Sequence, residues 1–313
     1  MKIVIFGAGV QGTVFAVRLA QAGHEVTLIA RPQRASEVRQ TGATIQDLNT
    51  GAVSSAALPV LETLPPDFVG DICLVTVRRE QIEAILPALA QATAIRRIVF
   101  LVNHANGSAD LRTFVGPSRT VLGFPGIAGY RDGLIVRYVD IPQQHTAVER
   151  TAHDVVSLLR ESGFPVDAVA DMDAWLERHA IFITAIAGAL CENSGDASGL
   201  AQHPETIRRF IIAVRQGWAA LDRQRVAPAP FALRVILCWV PLWISVEYWR
   251  RLLASPRGDL YFARHTRHAL VEMAVLAADV RNLLREGEAP ELENLLASIH
   301  GFDNRFVAAQ VMG

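Results

Sequence analysis

Three glycines, Gly7, Gly9 and Gly12, stand between an apolar, β-branched run, Lys2–Phe6, and the helically periodic stretch Val10–Gln21. Glycines at this spacing can cradle a phosphate. The first allows a tight turn, the second lets the backbone approach a pyrophosphate, and the third lets the helix pack closely on the strand. The phosphates then lie at the positive end of the helix, so Gly7, Ala8, Gly9, Val10, Gln11 and Gly12 are expected to bind a dinucleotide. About 20 residues further on, an acid would bind the ribose 2′-hydroxyl of NAD. This chain has Ala30 and then Arg31. A planar guanidinium matches the oxygens of a 2′-phosphate bidentately, so NADP is the expected cofactor, with Arg34 assisting. The alternative for Arg31 is that it only solvates a strand end.

Such a turn works only if regular elements hold it. Val14, Val17 and Leu19 recur at helical spacing, Gly23 stops the helix, and residues 24–30 supply a second strand. Residues 43–46 and 52–57 are short β-like runs that connect or extend the sheet. Residues 71–77 form a near-continuous apolar run of the kind expected for a parallel strand covered on both faces, and residues 80–92 read as a helix. Another strand, 98–102, runs into Asn103-His104-Ala105-Asn106-Gly107, so Arg78 and Asn106 sit at carboxyl ends of strands, where ligands bind in such sheets. The glycine-broken strands of residues 121–139 are expected at the far edge of the same sheet. A helix over 146–162 and a last strand over 164–169 follow. Beyond about residue 170 the period is helical. The expected fold class is α/β: an N-terminal Rossmann domain with a doubly wound parallel sheet (1–170), then an all-helical C-terminal domain (171–313) for substrate and dimer contacts.

Composition narrows the partners. With 313 residues, a formal net charge of −1 and no basic block, nucleic acid is not an expected partner. Cys73, Cys191 and Cys238 are widely spaced, suggesting buried small hydrophobes rather than disulfides or a zinc site. No signal-peptide pattern is present, which implies a cytoplasmic protein. Residues 235–246, VILCWVPLWISV, are too short for a membrane span of about 20 apolar residues, and Pro241 interrupts them. A buried helix broken at the proline is expected; if exposed, Trp239, Trp243, Tyr248 and Trp249 would form a partner surface suited to a homodimer. His265 and His268 lack a third ligand at metal spacing, so no metal is expected and both read as solvated or capping.

Taken together, the glycine turn, Arg31, the LVTVR segment ending at Arg78, the ANG of residues 105–107 and a helical half opening on Asp171 and Trp175 resemble the ketopantoate reductase family. The resemblance covers nearly the whole chain, strongly in its first half and loosely in its second. It implies NADPH-dependent reduction of a 2-oxo acid to a 2-hydroxy acid, with a lysine as proton donor. It also implies that Arg78, normally lysine there, joins Arg31 near the 2′-phosphate and that Asn106 lies near nicotinamide and substrate.

The family's catalytic lysine, two residues after the tryptophan, falls on Glu177, and its two following asparagines on Ile181 and Ala185. Lys2 is the sole lysine in the chain. The resemblance therefore leaves Glu177, if protonated, Arg178 as an electrostatic clamp, or His179 to assist the developing alkoxide, or else these three form a solvated helix face. Ile181 and Ala185 imply a bulkier or more hydrophobic substrate than ketopantoate. Counting back from Gly287 and Pro290 on a long helix over 261–286, Glu272 corresponds to the family's substrate-binding glutamate, the alternative being a surface carboxylate.

The function expected from all this is an NADP-dependent oxidoreductase acting on a small 2-oxo or 2-hydroxy acid. Two other classes stay open: a non-catalytic NADPH-binding sensor or partner protein, and an opine-type amino-acid dehydrogenase sharing the Rossmann frame.

Overall fold

The apolar, β-branched runs at the centre of the first half become strands because their side chains are removed from water. In a computed structural model, which describes residues 1–223 and 231–311, twelve strands form two sheets. They are β1 (Lys2–Phe6), β2 (Glu25–Ile29), β3 (Ala43–Asp47), β4 (Val53–Ala56), β5 (Val60–Leu61), β6 (Gly70–Val75), β7 (Ile95–Leu101), β8 (Thr120–Phe124), β9 (Ile127–Asp132), β10 (Ile135–Asp140), β11 (Thr146–Glu149) and β12 (Val166–Val169). The larger sheet has the order β12-β11-β8-β7-β6-β1-β2-β5. From β8 to β5 every pair is parallel, β11 runs antiparallel to β8, and β12 is parallel to β11. Ile3, Val4 and Ile5 of β1, like Ile72, Cys73, Leu74 and Val75 of β6, are fully buried, as a parallel sheet covered on both faces requires.

Five helices belong to this part: α1 (Val10–Gln21), α2 (Pro32–Thr41), α3 (Ile82–Gln91), α4 (Ala109–Val115) and α5 (His153–Glu161). The doubly wound Rossmann architecture is as expected, with three local differences. First, β3, β4, β9 and β10 do not extend the main sheet; they form a second sheet, order β4-β3-β10-β9, on the other side of α1. Val10, at the start of α1, lies against Gly129 of β9, where an added Cβ would come within 3.0 Å of it. Second, α2 occupies a stretch that shows little apolar period: Pro32 begins it and Gly42, at φ +75°, ends it. Third, residues 146–162 are not one helix. Thr146–Glu149 pairs with β8 and β12, and the helix begins only at His153.

A second set of helices follows: α6 (Met172–Glu192), α7 (Ala197–Leu200), α8 (Pro204–Arg223), α9 (Phe231–Arg234), α10 (Leu242–Ala254), α11 (Pro256–Gly258), α12 (Arg264–His268), α13 (Leu270–Leu283) and α14 (Pro290–Val311). The chain divides into two compact units, 1–102 with 108–172, and 103–107 with 173–313. Among the described residues α6 is the one helix long and apolar enough to cross a membrane, and 94% of its apolar window is buried inside the protein. It is the core helix of the second unit. Ile181 and Ala185 are fully buried there, with Ile181 packed where Gly217 of α8 has no side chain, so neither offers the substrate-facing surface expected of it.

Two further expectations need correction. The tryptophan-rich segment breaks at Pro241 as expected, but it is only partly buried: Leu237 enters the core, whereas Trp239 and Trp243 are 59% and 73% exposed, and of the three tryptophans only Trp249 packs inside, against Phe182, Phe210 and Phe262. The helix expected over 261–286 is broken at Ala269 (φ −133°, ψ 37°), which separates α12 from α13. Cys73 and Cys191 are buried and Cys238 partly so; burial pushes the Cys73 thiol up to about 12.

Candidate active site

In the first unit the turn after β1 is pinned from both neighbouring strands. Gly7 N–H donates to Ile29 O (3.1 Å), and the Thr76 hydroxyl, just past β6, donates to Gly7 O (3.0 Å). Gly7 sits at φ +115°, a conformation that favours glycine. At Gly12 an added Cβ would lie 1.8 Å from Gly7 O, so no side chain fits between α1 and the turn. Gly9, the N-cap of α1, is the opposite case, since an added Cβ meets nothing within 4 Å. The first turn of α1 has no side-chain cap and no acidic residue, leaving its positive end for an anion. These residues fit a pyrophosphate: a backbone turn held in place, open where the phosphates approach.

Two exposed arginines leave the carboxyl edge of the sheet on either side of this turn, Arg31 after β2 and Arg78 after β6. Arg31 is the extended N-cap of α2 (φ −60°, ψ 153°), and no acid lies in that helix's first turn. Arg34, in the same turn, is 8% exposed. Its Nη1 donates to Glu37 (3.1 Å), which also accepts from Arg131 (3.2 Å), while its Nε and Nη2 are buried with no hydrogen-bond partner. Buried donors of this kind call for an acceptor. Lys2 begins β1, at the opposite edge of the parallel sheet from the glycine turn, beside Glu25 (3.9 Å).

The second unit holds a buried polar cluster. Glu272 lies in the first turn of α13, where the helix dipole favours a carboxylate, and is 4% exposed. It accepts from Asn103 Nδ2 (2.9 Å) and faces His265 Nε2 of α12 (3.7 Å). Asn103 is itself buried and its Oδ1 has no hydrogen-bond partner. The expected surface carboxylate is thus a buried, bonded one. Asn106, singled out by sequence, is exposed and donates its amide to Asp279 (2.8 Å), about two turns further along α13.

On α6, the three residues expected near the vacant lysine position have different surroundings. Glu177 is partly exposed. Arg178 is 1% exposed; its Nη2 donates to Asp222 of α8 (2.7 Å) and its Nη1 to Trp218 O (3.4 Å), so the guanidinium expected as an electrostatic clamp ties two helices together. His179 is buried and stacked on Trp175, 5.2 Å between ring centroids and 9° between planes. None of the three is a solvated helix face.

Burial, aided by nearby His265, lowers the His179 pKa from 6.5 to about 3, so at neutral pH this ring is uncharged. The unfolded chain takes up a proton below about 6.5 that the folded ring refuses until about 3. Stability is therefore expected to fall with pH across that window. His179→Phe, which keeps a ring against Trp175, should flatten this fall. Urea midpoints of both proteins from neutral pH downward measure it; parallel curves would contradict the assignment.

Sequence reasoning missed Asn103 and the partnership of His265. Asn103 ends the same apolar run that drew attention to Asn106. On an unbroken helix, seven residues would separate His265 from Glu272 by about 10.5 Å of rise. Only the break at Ala269, which no proline or glycine marks, brings their side chains together. Among the described residues no cluster of three or more His, Cys, Asp or Glu could hold a metal ion.

The comparisons agree with this anatomy. The family model for ketopantoate reductase PanE/ApbA matches residues 3–173. Among solved structures, D-mandelate dehydrogenase with NADH and anilino(oxo)acetate is similar over 97% of this chain and 99% of that one, at 16% identity and a TM-score of 0.75. A PanE/ApbA family ketopantoate reductase from Ralstonia eutropha JMP134 matches over 97% and 99%, at 18% identity and 0.73. A 2-dehydropantoate 2-reductase from Geobacter metallireducens GS-15 matches over 96% and 99%, at 11% and 0.74. At these identities the likeness shows a shared fold.

Proposed function

We propose that this chain, which belongs to the ketopantoate reductase PanE/ApbA family, is an NADP-dependent oxidoreductase that reduces the carbonyl of a small 2-oxo acid or a related substrate. The observation that carries the proposal is the glycine turn, closed by Gly12 against Gly7 and open at Gly9. The bound dinucleotide would supply hydride to the carbonyl carbon. Residues Gly7 to Gly12 would hold its pyrophosphate, and Arg31, Arg34 and Arg78 its 2′-phosphate. The two unpartnered Arg34 donors and the absence of an acid after β2 favour a phosphate over a bare hydroxyl.

On the substrate side, Glu272 and Asn103 are assigned to the 2-oxo acid, together with Asn106 and Glu177. Arg178, already bonded to Asp222, is assigned to holding α6 on α8. The exposed Trp239 and Trp243 are assigned to a second copy in a homodimer, which sedimentation of the Trp243→Ser variant tests by loss of the dimer. A cytoplasmic location suits a reductase drawing on the cell's NADPH.

The test combines purified protein with NADPH or NADH and a panel of 2-oxo acids, ketopantoate and aryl 2-oxo acids included, following absorbance and nicotinamide fluorescence together. Turnover of any member supports the proposal. Binding of NADPH without turnover across the panel favours the sensor reading, and no binding ends both. Arg34→Gln is expected to lower NADPH affinity about tenfold or more while leaving NADH affinity near its starting value, as losing charge-assisted hydrogen bonds predicts. Fluorescence titrations with the two cofactors give the ratio directly; an equal loss for both would remove Arg34 from the phosphate site.

A further inference from the structure

Any reduction of a carbonyl by hydride leaves an alkoxide that needs a proton, and the donor must be both protonated near neutrality and reachable. Lysine cannot serve: Lys2 lies at the far edge of β1 from the glycine turn. His179 cannot serve either, being buried and uncharged, and the Arg178 guanidinium is turned to Asp222. Of the histidines near Glu272, His265 has a side chain 37% exposed.

Resting on the reductase reading above, we propose that His265 is the proton donor of the reaction, oriented by Glu272, which is in turn fixed by Asn103. The geometry follows the logic of a carboxylate–imidazole pair: Glu272 Oε2 faces ring Nε2 at 3.7 Å, leaving Nδ1 on the other side of the ring for the substrate. As the carbonyl carbon receives hydride, its π pair becomes a lone pair on oxygen, and that oxygen takes the proton from Nδ1. One N–H bond breaks and one O–H bond forms. The imidazole is left neutral and is reprotonated from solvent.

Glu272 faces His265 from α13 and His179 from α6, while its helix neighbours Arg264 and Arg267 both bond Asp259. Asn103 belongs to the same unit as the pair and donates to Glu272 (2.9 Å). Its unpartnered Oδ1 is an acceptor beside the pair, suited to the hydroxyl that reduction creates. Asn103 and Glu272 are thus positioning residues, and His265 is the catalytic one.

The experiment uses the full chain with His265→Gln, Glu272→Gln and the double variant. His265→Gln should bind NADPH with unchanged affinity by nicotinamide fluorescence, and bind oxamate, a 2-oxo acid analogue that is not reduced, more weakly by intrinsic tryptophan fluorescence. Its kcat should fall about 100-fold or more, and the limb of the pH profile that reports loss of the proton should vanish. Glu272→Gln should cost less in kcat, and the double variant no more than His265→Gln alone, because the two act as one unit. Proton NMR of the histidine C2–H signals supplies a readout independent of turnover. The signal missing in His265→Gln should move in chemical shift in Glu272→Gln relative to the parent, as loss of the facing carboxylate changes its surroundings.

Parent-like turnover by His265→Gln, or a C2–H signal indifferent to Glu272→Gln, overturns the proposal. A parent protein that binds NADPH but reduces nothing overturns the reductase reading instead, and the NMR result then judges the histidine–glutamate pair by itself.

Discussion

Gly12→Ala should abolish measurable dinucleotide binding and lower the melting temperature, and Gly9→Ala should do only the first. The difference follows from what each new methyl group meets. At Gly12 it would stand 1.8 Å from Gly7 O and 2.5 Å from the Thr76 hydroxyl, both parts of a turn already bonded to β2 and β6. Neither neighbour can give way without moving the turn. Overpacking of this kind costs about 1–3 kcal/mol or more in stability. A shifted turn also misdirects the N–H groups that would hold a pyrophosphate, and an affinity loss of about 100-fold corresponds to about 2.7 kcal/mol. At Gly9 the methyl group would enter open space, at an ordinary φ of −74°, so the protein should fold as before while the space left for the phosphates is filled. Differential scanning fluorimetry with and without NADPH reads both effects. Equal melting temperatures for the two variants would contradict the assigned roles.

The second large effect is expected far from the glycine turn. Asp222→Ala removes the carboxylate that faces a guanidinium only 1% exposed, and a buried charge that loses its counter-charge costs about 3–5 kcal/mol. The value should fall toward the lower end, since Asp222 itself is 43% exposed on its side chain. Replacing both partners by apolar residues, Arg178→Met with Asp222→Leu, should recover most of the loss, because no charge is then left in the interior. Urea unfolding of the parent and the two variants reports the comparison. Failure of the double variant to regain stability would mean that the contacts of Arg178 with Trp218 matter more than its charge.

Much of the first unit was legible because its signals are local. A β-branched run, three glycines and a periodic helix specify β1, the turn and α1 without reference to anything distant, and Arg31 and Arg78 follow from strand ends. What was not legible depends on partners far away in the chain. Thr146–Glu149 looks like the start of a helix until β8 and β12 are present to bond it. The second sheet needs β3 to meet β10, a pairing of residues 44 and 135 that no local period announces. The same holds in the helical unit. Glu272 was found only by resemblance, and its bond to Asn103 and its approach to His265 arise from a helix break at an alanine, where the local sequence favours continuity.

One consequence of the two-unit division concerns the order of synthesis. Residues 103–107 belong with the helices, yet they leave the ribosome long before them: Asn103 waits 169 residues for Glu272, and Asn106 waits 173 for Asp279. At about 5–20 residues per second this is a delay of roughly 10–30 seconds, during which β7 and β8 can pair while residues 103–107, part of the connection between them, still lack Glu272 and Asp279. The nascent Rossmann sheet must therefore tolerate an unanchored loop between two of its central strands. A fragment beginning at residue 173, made to isolate the helical half, would lack the two amides that hold Glu272 and Asp279 in place.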